Sequence, residues 1–535
     1  MPLARPSRLS QALPLALLLL TAVAASAQEP AGTPAPQGGA SSPPPSQGGN
    51  PTSSIPDPGT MFGGAGPGAF FGLGIGSDNG DWYLKTIINT DFSIGPVGLG
   101  LALPLSLLVY NNEDVGCDQK PCSRDSKTYL STIRRRDWDN PSDWLRFIRY
   151  VRYGHKRDTF YALVGQHWSS SIGHGTLVNR YNNTLNLDLN KVGVALDVNT
   201  TFFGFETLVD NVFDPNLLAA RAYVRPFGDV PFLRGWAIGS TLAVDLNAPR
   251  GLLCKNSSSG LVGPCLTAAP QPLVVDAQGN PSIDYSQLQF TFGIDTEYEL
   301  LNNSLIRLVP YIDANRLAGA GNGLHLGVMT TIVLPIPLLE VSLEARLEYR
   351  VMQAGYIPEY FDQTYDLGRV QYARVFTSAA VCGTAASCVR YQPKAQAARE
   401  QKADPTTGNQ GYYGELSFNF AGFVQVGGTL QDYQSDSGAS LGLFATLPKI
   451  DIIKVQGYYL RKNFEGLANA FVLDERSLLG GSLAYKIFGP IYIRGQFQRS
   501  WVLNPGSAKI ETSDSFSFGV ATFLPFGGGS AGPPQ

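Results

Sequence analysis

Charge is scarce in this 535-residue chain: Asp, Glu, Lys and Arg make up 16% of it, where an average soluble domain carries about 25%. No long apolar run takes the place of the missing charge, so no membrane-spanning helix is expected, since one needs about 20 apolar residues. No segment shows a convincing helical period. Histidine is nearly absent, with only His155, His167, His174 and His325. The formal net charge of -3 lacks the basic footprint of a nucleic-acid binder, and no nucleic-acid partner is expected. Ser and His crowd together only in Gln166–Gly175. No motif there frames a nucleophile and no spacing sets a base beside one. An enzyme is therefore not expected, and no metal or cofactor is called for.

What is present is ordered from the N-terminus. Arg5 and Arg8 precede a short apolar run, Ala12 to Val23, and then Ala25-Ser26-Ala27. That is the pattern of a secretory signal peptide over residues 1–27, with the mature chain starting at Gln28. Residues 28–60 are rich in Pro, Gly and Ser with little to bury, the composition of a disordered linker. Residues 61–526 read as one unit, and 527–535 as a flexible tail.

Strand periodicity fills that unit. In Leu339 to Val351 the residues Leu339, Val341, Leu343, Ala345, Leu347, Tyr349 and Val351 share one face. Glu340, Ser342, Glu344, Arg346, Glu348 and Arg350 share the other. Successive side chains of a strand point to opposite faces, so one face is apolar and the other charged. The same period recurs from Leu84 to Ile94, Gln287 to Glu299, Glu415 to Phe420, Val424 to Gln431 and Ile491 to Gln498. A soluble sandwich turns such charges to water, whereas a transmembrane barrel turns the apolar face to lipid and the charges to its interior.

The connections decide between the two. Short turns at Gly95-Pro96, Asn199-Thr200, Asn302-Asn303, Pro335-Ile336, Ala421-Gly422, Pro448-Lys449 and Gly489-Pro490 alternate with long loops. Those loops are 111–143, 247–284, 353–410, 463–474 and 503–512. Tight turns at one end and long loops at the other are the asymmetry of outer-membrane barrels. Loops of such length are foreign to a compact soluble domain. The six cysteines fall as close pairs within long loops, Cys117/Cys122, Cys254/Cys265 and Cys382/Cys388, and read as local disulfides of an oxidising compartment. The fold class is thus all-β, an up-and-down antiparallel transmembrane barrel of about 18 strands, with about 20 as the alternative.

The last strand carries a resemblance. Ser517-Phe518-Gly519-Val520-Ala521-Thr522-Phe523-Leu524 resembles the C-terminal signal of bacterial outer-membrane β-barrel proteins, which implies outer-membrane lipid and the barrel assembly machinery as partners. The layout as a whole is similar to porins and to the barrel partners of polysaccharide-export systems. It implies a channel for hydrophilic solutes or for a polysaccharide, the latter with a periplasmic export partner.

Parity assigns the inner face. Arg146, Arg152, Arg221, Arg225, Arg307, Arg346, Arg350 and Arg494 are its basic candidates. Asp197, Glu206, Asp210, Asp245, Asp295, Glu297, Asp313, Glu340, Glu344 and Glu348 are its acidic ones. By the same parity Arg149 would face lipid beside Phe147 and Val151, so that either it snorkels near the interface or the register shifts there. The stretch Gly173 to Asn183, with His174, Asn179, Arg180 and Tyr181, reads as a loop folded inward. Its aromatic, amide and guanidinium groups suit sugar stacking and hydrogen bonding, and equally suit satisfying the loop's own backbone. Two functions survive: a channel lined by both signs of charge, and a non-conducting barrel serving as a surface anchor or adhesion scaffold.

Overall fold

The computed structural model describes residues 68–525 except 79, 111–132, 135–136, 139–142, 146, 186–190, 256–259, 266–272, 275–280, 337–338, 371, 377–387, 403–408, 435–438, 465 and 505–508. The expected signal peptide, linker and tail lie outside these residues. One sheet holds 22 hydrogen-bonded segments. Two of them, Val262–Pro264 and Leu301–Asn302, are short extensions of rim hairpins, which leaves 20 strands around the wall.

In chain order these are β1 (Gly68–Asp78), β2 (Asp81–Ile94), β3 (Val97–Tyr110), β4 (Ile148–Tyr153), β5 (Phe160–Gly165), β6 (Gly193–Asn199) and β7 (Phe203–Val209). Next come β8 (Leu217–Val224), β9 (Trp236–Lys255), β10 (Ile283–Tyr298), β11 (Ile306–Leu317), β12 (Asn322–Ile336) and β13 (Leu339–Met352). The last are β14 (Asn409–Phe420), β15 (Val424–Tyr433), β16 (Ala439–Leu447), β17 (Ile453–Phe464), β18 (Ser477–Phe488), β19 (Ile491–Asn504) and β20 (Lys509–Pro525). Each pairs antiparallel with its sequence neighbours. The sheet closes because β1 also pairs with β20, from Gly68↔Pro525 to Asp78↔Ser515. Closure removes the unpaired edges that lipid would not tolerate. The count is the larger of the two expected, and it is even, so both ends of the wall lie on one side.

The short turns expected from the sequence fall at that side, and the outer end adds a two-residue turn of its own where Asp78 pairs with Asp81. Gly95 and Gly489 adopt left-handed φ of +57° and +51° in the two Gly-Pro turns, a region that glycine enters without a Cβ penalty. The outer ends differ from expectation in two places. The β9–β10 hairpin continues beyond the wall to Lys255 and Ile283, through register shifts around Ala248, Pro249 and Gly251. Those bulges break the two-residue period, so the sequence read as loop from 247. Strands β19 and β20 likewise run on to Asn504 and from Lys509.

The outer face is apolar. Leu73, Ile75, Leu84, Leu242, Phe290, Phe292, Ile294, Leu347, Leu416, Leu483, Phe518 and Val520 are all exposed there, more apolar surface than a water-facing wall would carry. Exposed Phe202, Phe203, Phe227 and Phe232 ring the short-turn end, as an interfacial aromatic girdle does. The barrel spans the bacterial outer membrane, with the short turns expected from the sequence periplasmic.

Arg149 is a correction. It does not face lipid: it lies inside, with Nη1 3.1 Å from Asp91 Oδ2. A register shift between Gly100 and Leu101 against β4 resets the parity. An arginine costs about 2 to 4 kcal/mol at the bilayer midplane, so the bulge turns a costly side chain into a paired one. The Cys254–Cys265 disulfide forms at the outer tip of β9, with Cα atoms 4.8 Å apart. Cys117, Cys122 and Cys382, and the side chain of Cys388, lie outside the described residues.

Candidate functional site

Two chain segments fold into the barrel. The first leaves β5 at Gly165 and forms a hairpin, Ser170–Ile172 against Val178–Tyr181, before β6. It reaches deep: the Ser171 carbonyl accepts from Lys156 Nζ at 2.9 Å, and Lys156 belongs to the periplasmic turn after β4. The tip, Gly173-His174-Gly175, needs left-handed φ at both glycines, +58° and +78°. Gly173 N donates to Glu206 at 2.8 Å. His174 places Nδ1 2.8 Å from Asp313 and Nε2 2.6 Å from Glu297. Burial alone would lower its pKa, but Asp313 and Glu297 outweigh that and push it up to about 10. Both ring nitrogens therefore donate, and the imidazolium is the cation of this cluster.

His174, Asp295 and Asp313 bring ligand atoms within 4.8 Å of one another. Asp295 is itself held by Arg221 at 2.5 and 3.1 Å. In this structure the cluster is an internal ion-pair network.

The second segment, 353–402, carries α1 (Tyr365–Gly368) and α2 (Lys394–Lys402). It packs on the first: Asn179 N donates to the Phe361 carbonyl at 3.0 Å, and Phe361 N returns a bond to Leu177 at 3.0 Å. Ile172, Leu177, Val178 and Tyr181 form one apolar cluster with Tyr356, Tyr360, Phe361 and Tyr365. Polar struts fix the segments to each other and to the wall. Arg180 pairs with Glu415 of β14. Tyr181 and Lys191 bond Asp366 at 3.1 and 2.8 Å. Arg369 holds Asp245 of β9 at 2.8 Å. Lys394 is buried against the Tyr360 carbonyl at 2.6 Å. Its burial, opposed by Asp362, lowers its pKa to about 8.

Four of the expected charged residues converge on one wall of this plug. Glu348 of β13 bonds Arg346, Arg350 at 2.6 Å and His325 at 3.1 Å, and it also accepts from Tyr311. Arg350, 0% exposed, reaches on to Glu359 of the second segment at 2.8 Å and to Tyr433 at 2.7 Å. Glu344 is half-buried on the same face. Arg221, Asp295 and Glu297 surround the hairpin tip, and Asp197 meets Lys156 at 3.4 Å. Arg225 stands apart at the periplasmic rim, bonded to Asn199 and the Thr200 carbonyl at 3.0 and 2.6 Å. Arg146 and the side chain of Glu340 lie outside the described residues. In the inward hairpin the amides are spent internally. Asn183 accepts from His167 N at 2.8 Å and donates to the Asp210 carbonyl at 2.9 Å.

The opposite wall is different in chemistry and in exposure. From β15 through β20 and on through β1 to β3 the inward side chains are mostly neutral. Gln425, Thr429, Gln431, Thr446, Gln496, Gln498, Ser517, Asn89 and Ser106 are partly exposed on the inside of the closed barrel, while Gln456, Ser482 and the cluster of Phe70, Ala484, Tyr492 and Ala521 on the same wall are buried. Between plug and wall a cavity of about 60 Å³ lies beside Arg180, Glu359 and Asp362 on one side and Tyr413, Thr429, Gln431 and Ser440 on the other. The charged half of the lumen is thus filled by the plug, and the neutral half keeps a set of partly exposed polar side chains.

Sequence reading missed the second segment's residues, Glu359, Tyr365, Arg369 and Lys394. They lie in a loop with no period, and only its length and tyrosine content marked it. Within the neutral wall the alternation marked β2, β15, β19 and β20, but not which of their inner side chains are exposed.

No family model matches the chain, and no curated protein resembles it in sequence. Solved structures do resemble it. OccK9 (OpdG) of Pseudomonas aeruginosa matches at 12% identity and a TM-score of 0.28, over 87% of this chain and 100% of that one. A BenF-like porin from Pseudomonas fluorescens matches at 9% and 0.31, over 86% and 99%. OccK2 (OpdF) of P. aeruginosa in complex with glucuronate matches at 10% and 0.30, over 86% and 98%. At such scores the likeness is one of barrel architecture and extends no further.

Proposed function

We propose that the protein is a porin-like channel that passes small hydrophilic solutes across the outer membrane, along the open half of its lumen. The observation that carries this is the exposure contrast. Inward Gln425, Thr429, Gln431, Gln496, Gln498, Ser517, Asn89 and Ser106 stay partly exposed, while Asp295, Asp313, Glu348 and Arg350 across the barrel are buried under the plug. A wall of amides and hydroxyls solvates polar solutes without trapping them, since it offers donors and acceptors but few fixed charges. A bulky polysaccharide fits this lumen less well than a small solute, because the hairpin reaches down as far as Lys156. The charges of the filled half then serve to dock the plug.

Reconstituted protein is expected to conduct ions in a planar bilayer and to let liposomes swell in small sugars, with swelling falling off as the sugar lengthens. A barrel that folds, shifts on an unheated gel and yet neither conducts nor supports swelling would instead be an anchor or scaffold.

A further inference from the structure

Most inward charges of this barrel have a partner. On the open half, Lys85 meets Asp78 at 2.7 Å, Lys486 meets Asp451 at 2.5 Å and Lys462 meets Asp362 at 3.0 Å. Arg494 of β19 does not. Among the described residues it makes no ion pair, and its Nε has no hydrogen-bond partner. One Nη donates to Gln496 at 2.9 Å, and the guanidinium stands 5.5 Å from the Phe70 ring centroid. The side chain is 9% exposed. A charge withdrawn from water without a counter-charge is expensive, and wall proteins ordinarily supply one.

Across the strands Arg494 lies in one row with Lys454 and Ala484 on one side and Gly519, Gly74 and Lys85 on the other. The two glycines bring no side chain to that row, and Lys85 at its end is already paired with Asp78. The next row outward is Gln456, Ser482, Gln496 and Ser517, all neutral and all inward. Lys454, the remaining cation of the row, makes no ion pair among the described residues and spends its ammonium on the Pro448 carbonyl.

We propose that Arg494, with Lys454 beside it, is a transient binding site for small anions on the open wall, and that it makes the channel anion-selective. The site rests on the channel reading above. A lone guanidinium lowers the energy of a passing anion, and the neutral row beside it lets the anion leave, which conduction requires. Solutes favoured by this wall are small hydroxylated molecules carrying a single negative charge.

The test is the reversal potential of the whole protein in a planar bilayer under a potassium chloride gradient, with Arg494→Gln and Arg494→Lys alongside. Heat-shifted gel mobility checks that each variant folds. Wild type should show an anion-selective reversal potential, the Gln variant one displaced toward zero, and the Lys variant one close to wild type. Conductance with the same reversal potential in all three would overturn the anion site and leave the channel standing. No conductance in folded wild type would overturn the channel reading, and this inference with it.

Discussion

The ring of His174, carried in on the tip of the inner hairpin, stacks on Tyr311 of β11 with centroids 4.1 Å apart and planes 10° from parallel. Tyr311 in turn donates to Glu348, where Arg346 and Arg350 also converge. One stacked pair thus joins the hairpin's ion pairs to the charged core of β13. The charges that alternation placed on the inner face are spent on holding a segment of the chain's own backbone in the lumen.

That docking should depend on pH in a defined window. The His174 pKa is raised from 6.5 to about 10, so its contribution is fully present below 6.5 and is lost as pH rises through about 10. Buried His167 has the opposite shift, down to about 4, because burial disfavours its charged form. Its site loses stability as pH falls from 6.5 toward 4. The plug should therefore be best seated near pH 6.5, because the His174 contribution declines from there toward about pH 10 and the His167 contribution declines from there toward about pH 4. Protease sensitivity of residues 166–192 in detergent, followed against pH, should show a minimum there. His174→Gln should remove the upper limb alone, and a flat profile in wild type would contradict the assignment.

Glu348→Gln should be strongly destabilising. It leaves Arg346 and Arg350 buried with one fewer counter-charge, and removing one partner of a buried ionic cluster costs about 3 to 5 kcal/mol. The temperature at which the compact band gives way to the unfolded one on a gel should fall clearly. An unchanged transition would mean that water reaches those arginines.

The outer disulfide should be local in its effects. Non-reducing peptide mapping should link Cys254 to Cys265, which close 11 residues of chain. Stabilisation from a loop of such size is at most about 3 kcal/mol and acts on the tip. Reduction should expose the chain between these cysteines to protease while leaving the barrel's heat-shifted mobility intact. Loss of the barrel on reduction would contradict this.

Much of this was legible in the sequence, and the limits have physical causes. Period two marks a wall whose faces meet lipid and water, so β13 could be read from Leu339 to Val351, and side-chain parity put Glu348 and Arg350 inside. Arg149 was misplaced because a bulge shifts parity by one without any residue that announces it. The inward fold of Gly173 to Asn183 was marked by its composition, but its partners Asp313, Glu297 and Phe361 lie more than a hundred residues away. Which inner residues face water could not be read at all. Gln496 and Glu348 are both inward by parity, and only the placement of the plug separates them.

The most direct test of the divided lumen is cysteine accessibility in the open channel. Gln496→Cys and Gln425→Cys, on the open wall, and Glu348→Cys, under the plug, are compared with wild type while a hydrophilic thiol reagent is added to a conducting bilayer. Current should drop on modification at Gln496 and Gln425, and should stay steady for wild type and for the Glu348 position. Block at Glu348 with none at Gln496 and Gln425 would place the water path through the charged half and contradict the account.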